Sequence, residues 1–572
     1  MPSGRAYSRH GKVSADMKRK QPEQAPPSRT PWLLAAFFLA VHIALGVGFI
    51  RSAAPTYDEA VHLASGYSYL ATGRYRLNIM DHPPLAEMWA AVPLLAWQPH
   101  LFASSPDFIQ GRLYHYADQF VNRNRVSGGR MVNAGRLFCL VSWTLLLGWA
   151  LCWWAERLGG AEAVAFCALL FACTPMLLSN LSLVTTDGAS AVFFFLTFWL
   201  LSNEERPFAV WASAGACAGL ALASKFNMIL IGPLAALLLF LDWRLRAKPR
   251  PGFPWGGALV AAGAALLALA FVYRFRSLPL FFSGLSATLE RLGQGRSMFL
   301  HGEHSTTGLP LYFPIALLIK TPLPLLAAGL GLAVFWLKDL RRERLWVLGP
   351  LIGYFLAALT SKVQIGVRHL LPMVPFLVLL AGCALAWLWR RAAWGKGAAV
   401  LLSVWAGAAV LSVQPYQLAY FNELVGGPKN GWRWLADSNL DWGQDLKTLA
   451  QELHRMGDPP VYLSYFGTAD PAAYGIRFVP LAMASNVERA GDPVDPAKNG
   501  RVLFAVSATH LQSVYYADKT VYDWLKARQP LKVLGYSLFL YDLTEDREGR
   551  GELASLVAAS GNPGAARSLL LE

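Results

Sequence analysis

Charge is scarce in this chain. Of its 572 residues only 15% are Asp, Glu, Lys or Arg, against about a quarter in ordinary soluble domains, while 55% are hydrophobic. That balance excludes a disordered chain, a fibrous one and an ordinary water-soluble enzyme. Acid is the scarcer sign, 36 residues against 51 basic ones, for a net charge of +15. In a soluble protein such an excess suggests nucleic acid. Here the basic residues lie mostly between apolar runs, so the excess reads as membrane topology, with no nucleic-acid partner. Cysteine is sparse as well: Cys139, Cys152, Cys167, Cys173, Cys217 and Cys383 all fall inside apolar segments, and none follows Cys383. No disulfide framework or zinc motif arises from them, and they read as small core hydrophobes.

Long apolar runs and aromatics are abundant, with 21 tryptophans among the interface-favouring residues of membrane proteins. A basic, proline-containing tail at 1–30 (Arg5, Arg9, Lys12, Lys18, Arg19, Lys20, Arg29) precedes an apolar run from Trp32 to Ile50. The run is long and no small-residue cleavage site stands out, so it reads as a first transmembrane helix and not as a signal peptide. Further runs cover about 137–155, 163–181, 187–202, 208–223, 226–241, 256–274, 311–337, 345–361, 369–389 and 397–413, several of them short for a bilayer core about 30 Å thick. The reading is therefore an all-α polytopic membrane domain over 31–413, with about eleven transmembrane helices. Clustered Lys and Arg mark cytoplasmic loops: Arg244, Arg246, Lys248 and Arg250; Lys338, Arg341, Arg342 and Arg344; Arg390, Arg391 and Lys396. They put the N-terminus in the cytoplasm and, with an odd number of spans, the C-terminus outside. Only Lys225 marks the turn between the two short helices of 208–241.

Three regions then face outward. Residues 51–130 form a long first loop. Residues 275–310 form a second, whose apolar-polar pattern from Leu280 to Leu292 suits a surface helix. Residues 414–572 form a soluble α/β domain with strands expected over 461–466, 502–506 and 533–541 and helices over 443–456 and 519–528. Its Ala-rich last twenty residues read as helical, a stub of a helical repeat at most.

The first loop carries the densest chemistry: Tyr57-Asp58-Glu59, then Asp81-His82-Pro83-Pro84-Leu85. Carboxylates beside the bilayer are costly unless they face a wet cavity. Adjacent helical residues do not share a face, so one of Asp58 and Glu59 acts and the other supports; the alternative is that Asp58 caps a helix over 59–72. Asp187, in Thr185-Thr186-Asp187-Gly188, is open to the same two readings. Asp58, Asp81 and Asp187 all come out on the outer side, where they suit orienting an acceptor hydroxyl or holding a divalent cation. Lys225, Lys320, Lys362, Arg368 and His369 come out there too. Singly, such cations snorkel to headgroups; together they suit a phosphate at the membrane surface.

These motifs resemble the protein O-mannosyltransferase and aminoarabinose-transferase-like group of glycosyltransferase family 39, of GT-C fold. The resemblance rests on Tyr57-Asp58-Glu59, Asp81-His82-Pro83-Pro84-Leu85, Thr185-Thr186-Asp187-Gly188, Gly219-Leu220-Ala221 leading to Lys225, and Arg368-His369-Leu370-Leu371-Pro372. The stretch Tyr420-Phe421-Asn422-Glu423-Leu424-Val425-Gly426-Gly427-Pro428, continuing through Asp437-Ser438-Asn439-Leu440-Asp441-Trp442-Gly443-Gln444-Asp445, looks like its bacterial branch. The resemblance implies an integral enzyme of a bacterial inner membrane. Its partners would be a polyprenyl-phosphate-linked sugar donor and a lipid, glycan or protein acceptor. It implies Asp58 as the catalytic aspartate, Asp187 as a second acidic position and Lys225 at the lipid phosphate; the residue reading adds Glu59 in support of Asp58, and Lys320, Arg368, His369 and His82 toward the donor phosphate. Asp81 and His82 match an acidic-basic pair that is Glu-Lys in the aminoarabinose-transferase branch, at a metal and phosphate site, so a divalent metal ion at Asp81 is an expectation of the resemblance. The 275–310 loop is too short for the β-trefoil domain of eukaryotic members, which argues against a protein acceptor.

Such a reaction belongs at an outer-leaflet cavity, with cations on the leaving phosphate and a carboxylate base for the acceptor. A single base implies direct displacement and inversion, since retention requires a nucleophilic carboxylate at the anomeric carbon. The competing reading is a secondary transporter or flippase of a lipid-linked sugar, against which stands the lack of a visible two-fold repeat. A partner-binding assembly protein is a third. For 414–572 the expectation is a lid over the acceptor site.

Overall fold

The computed structural model describes residues 29–246, 252–481, 491–492 and 494–571. The expected basic tail, apart from its last two residues, lies outside them, as do Lys248 and Arg250.

All eleven apolar runs are helical, but they are not eleven equivalent spans. Among the described residues six helices are long and apolar enough to cross a membrane: Thr30–Ser52, Gly128–Gly159, Phe226–Arg244, Trp255–Val272, Val367–Trp389 and Ala393–Leu411. Two bent pairs bring the number to eight, Ala161–Ala172 with Pro175–Leu181 at 67°, and Tyr312–Lys320 with Leu323–Lys338 at 119°. About eleven spans were expected; six to eight pass this length-and-composition test, and the run 311–337 is two helices. Proline is the cause in both pairs. Pro175 and Pro322 lack an N–H, and the residues before them, Thr174 and Thr321, adopt extended backbone (ψ 101° and 136°), which breaks the helical ladder. Thr186–Leu201 and Phe208–Leu222 are apolar but shorter, and Arg342–Leu359 opens on Arg-Glu-Arg. The chain is an integral membrane protein with several apolar spans.

Helix contacts use small residues where backbones meet. Gly215 and Gly219, four apart on Phe208–Leu222, face Trp255–Val272 so closely that an added Cβ would stand 2.0 Å from the Ala261 carbonyl oxygen and 2.2 Å from that of Ala265. Small residues in this spacing are what close helix packing in lipid requires. Val367–Trp389 is the most enclosed span, with 94% of its apolar window buried.

The segments between and after the spans rest on this bundle. The helices Glu59–Thr72 and Leu85–Ala91 cross at Gly66, whose missing side chain admits the Glu87 carbonyl. Pro279–Gln294 is a helix with Phe282 and Leu289 outward and Phe281 packed on Phe226 and Tyr273. It leads to a hairpin of β1 (Met298–Leu300) and β2 (Glu303–Ser305).

The C-terminal domain holds a five-stranded sheet of β3 (Val461–Ser464), β4 (Phe478–Pro480), β5 (Leu503–Ser507), β6 (Lys532–Leu534) and β7 (Leu538–Asp542), ordered β4-β3-β5-β7-β6. β3 pairs parallel with β4 (Val461 opposite Phe478) and with β5 (Tyr462 opposite Phe504); β7 pairs antiparallel with β5 and β6. The strand expected over 533–541 is instead a hairpin, because Gly535 and Tyr536 turn the chain at φ 55° and 66°, a left-handed region costly for most residues. The helix expected over 519–528 shrinks to Asp523–Lys526, whereas Leu446–Arg455 fills most of 443–456. The last residues form two packed helices, Arg547–Ala559 and Pro563–Leu571.

Candidate active site

Four charged side chains meet at one end of the bundle. Asp58 stands at the N-cap position of Glu59–Thr72 but makes no capping bond. The capping is done in reverse by Glu59, whose Oε2 accepts from the Thr56 N–H at 2.8 Å and its hydroxyl at 3.0 Å. Asp58 is thereby released toward Arg368, 3.8 Å away. Asp187 likewise does not cap Thr186–Leu201. Its carboxylate accepts from Lys225 Nζ at 2.5 Å and from Arg368 Nη1 at 3.2 Å. Arg368 thus joins both aspartates, while its Nε donates to Ser438 at 3.0 Å and its guanidinium lies over the Trp442 ring at 4.1 Å. Two acids and two bases leave the cluster neutral. Exposure separates their roles: the Asp58 side chain is 26% accessible and that of Asp187 only 1%. Asp58 is the accessible carboxylate of the two.

Histidines and a further arginine surround this cluster. His82 is half-buried; burial, then the His62, Lys225 and Arg368 charges, push its imidazole well below the usual range, so it sits there neutral. His62, one turn after Asp58 on the same face, packs its ring at a tilt against that of His82, with centroids 5.0 Å apart, and bonds Glu87 at 2.8 Å. Burial is the largest influence and opposes the His62 charge, but the Glu87 bond and charge together with the Asp58 and Asp187 charges outweigh it and raise that imidazole. His369 has a buried Nε2 without a partner. Arg296, just after the Pro279–Gln294 helix, lies over Tyr515 at 5.7 Å; burial works against its charge, and Tyr515, Asp437 and Asp58 more than restore it.

The comparisons with known proteins follow this geometry. Residues 126–282 match the family described as dolichyl-phosphate-mannose-protein mannosyltransferase. No curated protein sequence matches the chain. Among solved structures, ArnT from Cupriavidus metallidurans bound to undecaprenyl phosphate superposes with a TM-score of 0.50 at 15% identity, covering 90% of this chain and 98% of that one. The chain has an ArnT-like, GT-C fold. The Archaeoglobus fulgidus oligosaccharyltransferase gives a TM-score of 0.48 at 12% identity over 82% of this chain and 62% of that one.

Within this ArnT-like frame, three of the residues expected at the site lie elsewhere. Glu59 is fully buried and bound by Arg136 through Nε at 2.8 Å and Nη2 at 2.5 Å, with the Val184 N–H as a further donor. Burial alone raises its carboxyl, but Arg136 and the backbone donors outweigh this and hold it below its usual value. Its carboxylate is turned to Arg136 and not to the Asp58–Arg368 cluster. Lys320 is buried and donates to the carbonyls of Leu418, at 2.9 Å, and Asn439, with Phe421 beneath it at 4.3 Å. The expected phosphate ligand is a strut for the C-terminal segment, because in that interior backbone carbonyls are the acceptors within its reach. Asp81 is paired with Arg291, whose Nη2 also bonds the Met80 carbonyl. Among the described residues no three His, Cys, Asp or Glu side chains are placed to hold a metal ion. With its carboxylate committed to an arginine, Asp81 does not fit the metal role the resemblance implies.

The site also contains groups the sequence reading did not single out. Arg136, His62 and Glu87 lie in the first loop and its flanking helix, and Ser438 and Trp442 come from the segment after the last span. The main chain of that segment grips the acidic turn: Ala54 N–H donates to Gln444 O at 2.7 Å and Tyr57 N–H to Trp442 O at 2.9 Å, while the Thr468 hydroxyl donates to Tyr57 O at 2.8 Å. For Arg136 the signal was present: an arginine inside a 32-residue apolar helix must have a partner.

Proposed function

We propose that the protein transfers a sugar from a polyprenyl-phosphate donor to an acceptor hydroxyl or amine at the outer face of the membrane, with inversion. The observation that carries this reading is the Asp58–Arg368–Asp187–Lys225 cluster, one reachable carboxylate beside two cations, at the outer end of an ArnT-like fold. The undecaprenyl phosphate bound by ArnT and the mannosyltransferase family match support a lipid-phosphate donor.

In this mechanism Asp58 accepts the acceptor's proton as the acceptor oxygen or nitrogen attacks the anomeric carbon. The bond from that carbon to the phosphate oxygen breaks, and the electron pair leaves with the polyprenyl phosphate. Arg368 and Lys225 stabilise the charge that grows on the phosphate, with His82 and His369 as hydrogen-bond partners. Asp187 holds both cations in place. The cluster is preorganised, so little reorganisation accompanies the step. A donor with its polyprenyl tail in lipid meets this cluster from the outer leaflet, in keeping with the cytoplasmic N-terminus that the basic loops indicate.

The test is release of polyprenyl phosphate by purified protein in nanodiscs from a panel of polyprenyl-phosphate sugars, with cell-envelope extract as acceptor, for wild type beside Asp58→Asn. Release that disappears in the normally folded variant supports the reading; retained anomeric configuration in the product overturns the inverting mechanism. The two bent helix pairs are also a transporter feature. A flippase returns the donor chemically unchanged, and that outcome would replace the transferase reading.

A further inference from the structure

A second ion cluster lies at the far ends of the helices that carry the first. Lys225 stands between Phe208–Leu222 and Phe226–Arg244, and the other ends of these two helices hold Arg206 and Asp242. Phe226–Arg244 has 19 residues, about 28 Å of helix, close to the ~30 Å apolar thickness of a bilayer. Arg342–Leu359 packs along it, Gly349 on Leu238 and Gly353 on Leu234. The pair is fastened at both ends. At one, Asn227 Nδ2 donates to the Tyr354 hydroxyl at 2.9 Å, and that hydroxyl to the His369 carbonyl at 2.9 Å. At the other, Arg342 Nε donates to Asp242 Oδ1 at 2.8 Å.

Asp242 is a carboxylate in the last turn of its helix and Arg342 a cation at the start of its own, each the disfavoured sign at that end. They offset each other, and one arginine would suffice. Asp242 Oδ2 nevertheless also meets Arg206 Nη2 at 3.2 Å and Arg246 Nη2 at 3.5 Å, while Oδ1 accepts from Trp346 Nε1 at 3.3 Å. One carboxylate thus faces three guanidiniums, leaving two positive charges in excess. A carboxylate offers about four acceptor positions and a guanidinium about five donors, so Asp242 cannot satisfy them all. Arg206 shows the surplus. Its side chain is 4% exposed and lies between the Trp211 and Trp346 rings at 5.5 and 5.1 Å, and its buried Nε has no partner among the described residues. Beyond burial, the groups acting most on Arg206 are Asp242, Arg246 and Arg342, whereas Glu343 and Glu204 act on Arg157.

The surroundings indicate where a second anion comes from. Trp243, next to Asp242, starts a row of rings with Phe253 at 6.1 Å and then Trp255 at 4.6 Å, and Trp255 and Phe208 face outward. Outward aromatic rings at the ends of apolar spans sit at headgroup level, and basic pockets between spans at that level hold anionic headgroups. Toward the bilayer middle Leu237 and Phe240 face outward as well, an apolar surface for acyl chains. Arg246 and Arg342, partly exposed, are the donors open to a ligand.

We propose that the Arg206–Arg246–Arg342 cluster binds the phosphate of an anionic phospholipid, in the leaflet opposite the Asp58–Asp187 cluster. Charge-assisted bonds from the guanidiniums hold its oxygens and tie the 206 loop to the ends of Phe226–Arg244 and Arg342–Leu359. The site stands whether or not the Asp58 cluster transfers a sugar.

The test is native mass spectrometry of the full chain in detergent, titrated with phosphatidylglycerol, phosphatidylcholine or inorganic phosphate. Phosphatidylglycerol is expected to bind about ten-fold more tightly than phosphatidylcholine. Arg246→Gln leaves Asp242 with Arg206 and Arg342, so the variant keeps its fold, and is expected to weaken phosphatidylglycerol binding about five-fold. Arg246→Lys, which keeps the charge, is expected to retain most of that binding. Arg341→Gln is the control: this exposed arginine pairs with Asp339 instead, and its loss is expected to change nothing. Polyprenyl phosphate binding is expected to be unchanged in Arg246→Gln, which separates this site from the Asp58 cluster. Equal affinity for the two phospholipids, or phosphatidylglycerol binding unaltered in Arg246→Gln, would overturn the proposal. So would equal losses in Arg246→Gln and Arg341→Gln, which would mean diffuse surface charge. Inorganic phosphate that displaces the lipid would assign the cluster to a soluble anion and overturn the lipid reading.

Discussion

The Arg368 guanidinium lies over the Trp442 indole, 4.1 Å from the ring centroid. The residue that joins the two acids of the membrane domain is thus held by the chain that follows the last span. A cation over an aromatic face gains about 0.5–2 kcal/mol, most where water is excluded. Trp442, with Ser438, fixes the orientation in which one guanidinium serves Asp58 and Asp187 together.

Replacing Trp442 therefore acts at the site through Arg368. Trp442→Ala is expected to lower donor turnover by about ten- to a hundred-fold, and Trp442→Phe, which keeps an aromatic face, to retain most of it. Polyprenyl phosphate release, compared at matched thermal stability, checks this. Equal losses in both variants would mean that the ring's face does not matter.

The neighbouring acids should separate cleanly. Asp58→Asn is expected to cost about 10²–10⁴ in turnover with an unchanged melting temperature, because the side chain caps nothing. Glu59→Gln leaves Arg136 buried without a counter-charge, a loss of about 3–5 kcal/mol, and should show as poor yield and early melting. A Glu59→Gln protein that melts normally but is inactive would reverse the two roles.

Lys320→Met tests the strut. Removing the ammonium strands the Leu418 and Asn439 carbonyls, at about 1–3 kcal/mol for buried groups left unpaired. The expected outcome is a lower melting temperature and faster proteolysis in 414–445, with affinity for polyprenyl phosphate unchanged. A selective loss of that affinity would restore Lys320 to the donor site.

The docked segment should also respond to pH. Burial pushes the Asp441 carboxyl up to about 7 and the Asp445 carboxyl up to about 8, against ~3.9 in an unfolded chain. The folded state keeps these protons over a range where the unfolded chain has lost them. Their contribution to stability is complete below the unfolded value and is lost as pH rises through 7 and 8. Thermal melting should fall as pH is raised from about 5 to about 8 and level off above that, and the fall should be shallower in Asp445→Asn. An unaltered slope in that variant would place the titration elsewhere.

The reactive groups were legible because each interrupts an apolar pattern. Asp58, Asp187, Lys225 and Arg368 stand at the ends of hydrophobic runs, where an unpaired charge is costly, and the structure brings these four together. The same reasoning found Lys320 and Glu59 but misplaced them. It could tell that a charge needs a partner, not whether the partner would be a substrate, the Arg136 guanidinium or a backbone carbonyl. The bends at Pro175 and Pro322 were visible as prolines, but the angles of 67° and 119° depend on what each half-helix packs against.

By itself the sequence determined that the chain lives in a membrane, that a mixed α/β domain follows the last span, and that a small set of acids and bases lies near the ends of the helices. Hydropathy and helical period are local and additive, so they can be read along the chain. Only the tertiary structure decided who pairs with whom. Arg368 and Asp187 are 181 residues apart, and their contact depends on how the helices between them pack and on Ser438 and Trp442 closing over the guanidinium. Distance and burial set the strength of an ion pair, and those are properties of the folded arrangement alone.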